Sequence, residues 1–495
     1  MNKEISDSSL LRPHREPGSL TGYRYLLVLS KLDVLAIYIL LLAFALVIVL
    51  SPWRGDAAIT YVKLSALILI FTFFLVLKLV PVSERGFLHP IVFTVIWWGG
   101  VRELLPKISV FANGLERHAA LGGVNQTQLD YVVAESTLYY VLSIVVICIS
   151  FAALKFKGAR IPKMVEPKHV YPGLSVLAVL SLLSFGMFAF AAGGLGNLIM
   201  QRGISVSDRV ATQIGAHWVV LATLLEVGCY VALSSKKGIE KSFLFWFFVL
   251  LSMFIGFAST GSRSGVIMQL VFIAIIYSIK VGRIPYRAVF SGVFVSILLV
   301  GGLGEVRTQM QKGSSVDDIE VNRNISSALA SGAKTVSQYA GEVYGLYGVV
   351  GKVPEDVPFL NGESYKSILY IPFPSAIVGE KPLSGGRLAS DKLFNNPQSG
   401  VPPTYVGEAY WNFGLAGVLV VSVLWGVVLR FVYDMYRLNV SSALMALPFL
   451  FFLFYARPDS NSLVGAIQAL VVLYFSYFVI SLFGRLKLGR GVSVG

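Results

Sequence analysis

Apolar runs of membrane-spanning length follow one another along most of this chain, with short polar gaps between them. A membrane-spanning helix needs about 20 apolar residues to cross roughly 30 Å of hydrocarbon. By that measure the sequence predicts twelve spans, at residues 32–51, 58–80, 87–104, 132–154, 171–192, 213–233, 242–260, 263–280, 286–304, 405–429, 441–456 and 460–483. The pattern therefore predicts an all-α polytopic membrane protein.

One long segment, residues 305–404, interrupts this pattern between spans nine and ten. It contains no run of membrane-spanning length, and it ends in two prolines and a threonine that lead directly into span ten. The sequence thus predicts five regions along the chain. They are a tail (1–31), nine spans (32–304), a large loop (305–404), three spans (405–483) and a second tail (484–495).

Composition and charge placement agree with this organisation. Hydrophobic residues make up 55% of the chain and charged residues 14%, whereas soluble domains have about 45–50% apolar and about 25% charged residues. Lysine and arginine alternate between successive gaps, with 23 on the side of both tails and 8 in the opposite short gaps. Cytoplasmic loops carry the excess of positive charge. We therefore expect both termini in the cytoplasm and the large loop in the periplasm, and we attribute the net charge of +14 to topology rather than nucleic-acid binding.

Three predicted spans begin on the external side with residues suited to binding anions. Span eight begins with TGSRSG, which contains Arg263, and span twelve begins with ARPDSNS, which contains Arg457. Span ten follows Pro402, Pro403 and Thr404. Helix N-termini have free N–H groups and a positive dipole end, so an adjacent arginine favours phosphate or pyrophosphate there. The alternative is that these arginines only extend to the aqueous interface.

Glu408 is the most informative acidic residue, because it lies one turn inside span ten from Thr404. A carboxylate at that depth is costly unless it is paired, which makes it a functional candidate. Tyr405 and Trp411 share its helix face by i, i+3 spacing, and loop aromatics such as Tyr370 suit sugar rings. The alternatives are a salt bridge from Glu408 to a nearby arginine, and an aromatic belt at the membrane interface.

Several classes of site have no motif in this sequence. We find no P-loop, no GxGxxG opening a helix, no HExxH and no Cys/His cluster. We therefore expect no cofactor and no metal. Cys148 and Cys229 lie inside apolar runs and are interpreted as inert core residues, and Glu135 and Glu226 as members of structural pairs.

Three segments of the chain resemble the Wzy-type O-antigen and exopolysaccharide polymerases of bacteria. They are TGSRSG (260–265), NGESYKSILYIPFP…GEKPLSGGRLASD (361–391) and PPTYVGEAYWNFGLAG (402–417). The resemblance implies a metal-independent glycosyltransferase with a GT-C-like fold in the bacterial inner membrane. Such an enzyme transfers the growing glycan from undecaprenyl pyrophosphate to the non-reducing end of a new lipid-linked repeat unit. The implied partners are lipid-linked oligosaccharides, membrane lipid, a chain-length regulator (Wzz-type) and a flippase (Wzx-type), without nucleic acid.

The resemblance and the residue chemistry together predict the site. Glu408, Arg263 and Arg457 are the predicted catalytic residues, with Glu408 assisting the acceptor hydroxyl and the arginines holding pyrophosphate. The predicted substrate-binding residues are Arg307, Lys381, Arg387, Tyr405, Trp411 and Tyr370. We expect residues 361–404 to cover the three helix starts, and residues 313–360 to be an ordinary solvated cover.

Two other functions are weighed against polymerisation. An O-antigen ligase uses the same donor with a lipid A-core acceptor, and in ligases a loop histidine is associated with activating the acceptor. None of the five histidines of this chain lies in the large loop. A flippase for the lipid-linked oligosaccharide is expected to show repeat symmetry and a charged central cavity, but the sequence shows no repeat.

Overall fold

A computed structural model provides the structure of this protein. It describes residues 57–81, 86, 88–104, 126–156, 164–191, 193–194, 216–260, 263–282, 343–370, 382–395, 401–440 and 442–485 of the 495-residue chain. Within these ranges the chain is helical, without strands. Predicted spans one (32–51) and nine (286–304) and both tails, apart from part of 484–495, lie outside the described residues.

We number the described α-helices in chain order. They are α1 (Ala57–Leu79), α2 (Pro90–Phe93), α3 (Gln126–Ala153), α4 (Tyr171–Ala191), α5 (Ala216–Ala222), α6 (Leu224–Ser235), α7 (Phe243–Thr260), α8 (Arg263–Val281), α9 (Val343–Lys352), α10 (Glu363–Leu369), α11 (Gly385–Lys392), α12 (Thr404–Asn439), α13 (Ala443–Tyr455) and α14 (Ser460–Phe483). A π-helical segment, Thr94–Leu104, continues from α2.

Ten of the twelve predicted spans fall on described helices, and most boundaries agree within about three residues. The exceptions are α3, which begins six residues before predicted span four, and α12, which ends ten residues after predicted span ten. By length and composition, five stretches of the described chain could cross a membrane. They are Tyr131–Ala153, Tyr171–Ala191, Trp218–Ser235, Thr404–Asn439 and Ser460–Phe483. Four further helical stretches are apolar but shorter, at Pro90–Gly100, Phe243–Ser259, Gly265–Val281 and Ala443–Tyr455. The all-α prediction is therefore confirmed, while the count of twelve spans stays a prediction.

α6 lies at the centre of one helix group and packs against α4, α7, α8, α13 and α14. Every residue of α6 except Glu226 is buried, as expected for a helix that is apolar on all sides. Gly228 permits the close approach of α4, because a Cβ there would lie 2.5 Å from Leu177 Cδ1. Tyr230 Oη donates to Glu226 Oε1 at 2.6 Å, which fits the interpretation of Glu226 as part of a structural pair.

α12 packs along α3 and forms a second helix group with it. Gly426 lets the two backbones meet, since a Cβ there would lie 2.6 Å from Ile147 O. Small residues and interhelical hydroxyl bonds are the usual contacts between helices in membranes. Accordingly, the hydroxyls of Ser143 and Ser422 are 2.7 Å apart, and Ser143 Oγ donates to Tyr405 Oη at 3.0 Å.

A buried ion pair holds the far end of α12 against α3. Arg430 Nε and Nη2 donate to the two carboxylate oxygens of Asp434 at 2.8 and 3.1 Å. Asp434 Oδ2 also accepts from Phe156 N at 2.9 Å, just beyond the end of α3. Because the carboxylate is fully buried and is paired on both oxygens, this contact avoids the cost of an isolated buried charge.

The expectation of a solvated cover over residues 313–360 is wrong for α9, although residues 354–356 just beyond it are exposed. α9 packs on α3 and α12, and residues 345–350 are all buried. Its glycines explain this placement. A Cβ at Gly345 would lie 2.1 Å from Pro402 O, and one at Gly348 would lie 2.5 Å from Phe394 Cζ. These contacts bring α9 against the prolines that precede α12.

Candidate active site

The first turns of α12 form a separate buried segment, because the helix is interrupted at Phe413 and Gly414. Phe413 has φ −145° and ψ 19°, and Gly414 has φ +64° and ψ −155°. A positive φ is accessible to glycine without steric cost. Within the segment that precedes the break, 404–412, every residue except Tyr410 is buried. The segment therefore differs from an ordinary lipid-facing span.

Loop backbone satisfies the polar groups that this interruption releases. Leu360 N donates to Trp411 O at 2.9 Å, and Asn361 N donates to Asn412 O at 3.2 Å. The Asn412 side chain adds three bonds. Its Oδ1 accepts from Gly362 N at 2.8 Å, and its Nδ2 donates to Glu408 O at 2.7 Å and to Ser364 Oγ at 2.8 Å. These bonds fix the start of α10 on the segment that carries Glu408.

Glu408 lies where α10, α11, α12 and α14 meet, and its side chain is fully buried. Ser460 N, at the first residue of α14, donates to Glu408 Oε2 at 2.9 Å. Gly385 N donates to Ser460 Oγ at 3.0 Å, and Ser364 places its hydroxyl beside the carboxylate. Glu408 Oε1 has no hydrogen bond of standard geometry in the part of the chain that the structure describes.

Gly385 is the residue that covers this carboxylate. A Cβ at Gly385 would lie 2.7 Å from Glu408 Cδ and 2.9 Å from each carboxylate oxygen. Only glycine fits here without displacing a neighbour, since such Cβ contacts are shorter than van der Waals distance. The alternative interpretation, a salt bridge from Glu408 to an arginine, does not occur among the described residues, where the α14 backbone donates a hydrogen bond to the carboxylate.

Arg457 lies at the same helix start, three residues before Ser460. Asp459 is the N-cap of α14 and accepts from Ser462 N at 2.7 Å. Arg457 Nε donates to Ser462 Oγ at 2.8 Å and lies 3.4 Å from Asp459 Oδ2. The guanidinium therefore has a fixed position next to the helix that holds Glu408.

Sequence reasoning missed two residues that the structure places beside Arg457. Trp98 lies under both guanidinium groups, with Arg457 Cζ 5.3 Å and Arg102 Cζ 5.5 Å from its ring centroid. Arginine stacks well on tryptophan. The signal was present in WWGGVREL, because Trp98 and Arg102 are spaced i, i+4. Two guanidiniums on one ring bring two positive charges close together, and arginine is a residue type well suited to phosphate groups.

Tyr365 on α10 also belongs to this region and was not selected from the sequence. Burial raises the pKa of its phenol, and the charges of Glu408 and Asp459 raise it further. The phenol therefore stays protonated at neutral pH and can donate a hydrogen bond. Its hydroxyl is buried without a hydrogen bond in the described ranges.

The other predicted cationic residues have different placements. Arg263 is the first residue of α8, and Arg387 is half-buried in the first turn of α11. Arg307 and Lys381 lie outside the described residues. The pyrophosphate roles of Arg263, Arg307 and Arg387 and the substrate-binding role of Lys381 therefore stay predictions.

The predicted aromatic residues separate into buried and accessible ones. Trp411 is fully buried in a small core between the loop and α12, and its Nε1 donates to Pro358 O at 3.2 Å. Tyr405 is buried between α3 and α12. In this conformation both rings contribute to packing and present no face to a sugar. Tyr370, which ends α10, is 37% exposed.

These features define an all-helical membrane protein whose polar residues converge at one end of α12 and α14, beneath helices of the large loop. The sequence model of the O-antigen polysaccharide polymerase Wzy family matches residues 33–487. The chain therefore belongs to this family, and the resemblance found in the sequence is confirmed. No curated protein and no solved structure matches the chain.

Proposed function

We propose that this chain joins lipid-linked oligosaccharide repeat units at the outer face of the bacterial inner membrane. The growing glycan passes from undecaprenyl pyrophosphate to the non-reducing end of a new lipid-linked unit. Membership of the family supports an O-antigen polymerase, and the alternation of basic residues supports cytoplasmic termini. The donor, the acceptor, the side of the membrane and the GT-C-like fold are parts of this proposal.

One observation carries the assignment of residues, namely that a carboxylate and a guanidinium share the start of α14. Ser460 N binds Glu408 and Ser462 Oγ binds Arg457, two residues apart on one helix. Glycosyl transfer needs an acceptor for the hydroxyl proton and positive charge for the leaving pyrophosphate. This pair supplies both from a rigid element.

The reaction follows from these two groups. The acceptor oxygen bonds to the anomeric carbon of the donor glycan while the bond from that carbon to the pyrophosphate oxygen breaks. The electron pair leaves with pyrophosphate, which Arg457 and Arg102 neutralise, and the hydroxyl proton passes to Glu408. Because Glu408 is fully buried beneath Gly385, the acceptor reaches it when α11 moves away from α12.

The remaining predicted residues fit around this centre. We propose that Arg263, Arg307 and Arg387 add positive charge for the pyrophosphate, with Lys381 on the same segment as Arg387. Tyr370 is the predicted aromatic whose exposure suits stacking on a sugar ring. Trp411 and Tyr405 hold the shape of the site by packing.

The test is deletion of the gene followed by complementation and a ladder gel of surface polysaccharide. We expect single repeat units without a ladder in the deletion strain, and a full ladder with the wild-type chain. Glu408→Gln removes the proton acceptor but keeps the size of the side chain. A general base contributes about 10²–10⁴-fold to the rate, so we expect the amount of polymer to fall at least about a hundredfold.

Glu355→Gln is the matched control, because Glu355 is exposed in the turn after α9 and the same chemical change there should keep the ladder. Immunoblots of membranes normalise the amount of each variant. A deletion strain in which no lipid A-core carries even a single repeat unit would contradict polymerisation and indicate a ligase or a flippase. A normal ladder with Glu408→Gln would remove Glu408 from the mechanism.

A further inference from the structure

The position of Tyr365 is set by the same residues that fix Glu408. α10 begins after Gly362, which has φ +89° and donates its N–H to Asn412 Oδ1. Ser364 Oγ accepts from Asn412 Nδ2, and Asn412 Nδ2 also binds the carbonyl of Glu408. Asn412 therefore holds α10 and the Glu408 segment in one fixed relation.

In this region Asp459 Oδ2 is partnered by Arg457 Nε at 3.4 Å. Two further buried polar atoms, Tyr365 Oη and Glu408 Oε1, have no hydrogen bond of standard geometry within the ranges that the structure describes. Buried polar atoms are nearly always hydrogen-bonded in native proteins, and exceptions call for an explanation. One atom is a donor, the phenol, and the other is an acceptor, the carboxylate oxygen.

A hydroxyl group is the simplest ligand that satisfies such a pair, because it accepts one hydrogen bond and donates another. Gly385 covers the carboxylate and has no side-chain atom that could form a hydrogen bond with it. When α11 moves away, a ligand can therefore take the place next to Glu408 Oε1. A carboxylate or phosphate ligand would instead face the charges of Glu408 and Asp459, which disfavour it. The surroundings therefore select a neutral hydroxyl-bearing group.

We propose that Tyr365 and Glu408 together hold the acceptor hydroxyl of the incoming sugar. Tyr365 Oη donates to the hydroxyl oxygen, and the hydroxyl donates to Glu408 Oε1, which takes the proton as the glycosidic bond forms. Tyr365 keeps its own proton throughout. This inference rests on the proposed function and adds to it a residue that binds the acceptor and not the donor pyrophosphate.

The experiment separates acceptor binding from donor binding. Purified protein in lipid nanodiscs receives as donor a lipid-linked repeat unit whose own acceptor hydroxyl is replaced by hydrogen, so that it can only donate. The acceptor is the same oligosaccharide with its hydroxyl intact but without lipid pyrophosphate, so that it can only accept. Tyr365→Phe removes one neutral hydrogen bond, so we expect the acceptor KM to rise about fivefold to tenfold. The donor KM should stay within about twofold, because no pyrophosphate contact is lost.

Tyr347→Phe is the control, since Tyr347 lies in the buried part of α9 within the main core and its change should leave both KM values near wild type. Replacing Tyr365 with 4-aminophenylalanine restores an N–H donor, and we expect recovery of the acceptor KM. This rescue distinguishes hydrogen bonding from packing even if Tyr365→Phe lowers protein yield.

The outcomes also separate this inference from the proposed function. An unchanged acceptor KM for Tyr365→Phe, with Glu408→Gln inactive, overturns only the role of Tyr365. Equal increases in donor and acceptor KM, or failure of 4-aminophenylalanine to rescue, also overturn it. A wild-type chain that transfers no repeat unit between these substrates overturns the proposed function itself.

Discussion

Gly385 lies directly against the Glu408 carboxylate, so Gly385→Ala adds a methyl group where no space exists. The new Cβ would lie 2.7 Å from Glu408 Cδ and 2.9 Å from both oxygens. A carboxylate at the end of a flexible side chain can often turn aside. Here it is fully buried and held by Ser460 N at 2.9 Å, so it moves only by breaking that bond.

The expected cost follows from these contacts. Overpacking a filled interior costs about 1–3 kcal/mol, and losing a hydrogen bond to a charged group costs about 1.5–3 kcal/mol. These are alternative ways to relieve one clash, so they do not add. Alanine favours the helix over glycine by about 1 kcal/mol, which offsets part of the loss. We expect Gly385→Ala to lower the free energy of unfolding by up to about 2 kcal/mol.

The adjacent glycine provides a matched control. A Cβ at Gly386 would meet Asn461 Nδ2 at 2.6 Å, but that amide belongs to a partly exposed side chain that can rotate away. A Cβ at Gly465 in α14 has nothing within 4 Å. We therefore expect Gly386→Ala to be nearly neutral and Gly465→Ala to stabilise by up to about 1 kcal/mol.

Unfolding in mixed micelles by SDS titration gives the free energies of unfolding, and the ladder gel gives the polymer length in a complemented deletion strain. Gly385→Ala should shorten or abolish the ladder because Glu408 is displaced, while the two controls keep it. If Gly385→Ala matches Gly386→Ala in both measurements, Gly385 does not cover Glu408 and the packing described above is incorrect.

Two further predictions concern the guanidinium and the buried indole. Arg457→Lys keeps the charge but loses the Nε hydrogen bond to Ser462 and the stacking on Trp98. The kcat/KM for the donor should therefore fall about 10–100-fold. An unchanged donor kcat/KM would exclude a role of Arg457 in pyrophosphate binding. Trp411→Phe loses the bond to Pro358 O and should lower the free energy of unfolding by about 1 kcal/mol, measured by SDS titration. A raised acceptor KM in Trp411→Phe with unchanged stability would instead restore its predicted contact with sugar.

The helix boundaries could be predicted from the sequence because they depend on local patterns. Span twelve is predicted at 460–483, and the structure has α14 at Ser460–Phe483 with Asp459 as its N-cap. An N-cap is set by a side chain and a backbone N–H three residues away, so its signal is local. The depth of Glu408 within the helix was expected for the same reason, since it follows from its distance to the helix start.

The partners of Glu408 could not be predicted, because they come from distant parts of the chain. Gly385 lies 23 positions before it and Ser460 lies 52 positions after it. Nothing in the local pattern states which loop glycine faces which carboxylate. The same limit applies to Arg102, whose helix pairs with the start of α14 only in the folded chain.

The interruption of α12 was also beyond sequence reasoning, and it explains why a large loop and a membrane helix act as one site. WNFGLAG contains glycine, but glycine is frequent in continuous membrane helices, so no break was predicted. In the structure the break at Phe413 and Gly414 releases carbonyl groups that must be satisfied. Loop backbone at Leu360 and Asn361 supplies the donors. The loop is therefore bound to α12 by a requirement of the backbone itself, and the same bonds keep the start of α10 beside the segment that carries Glu408.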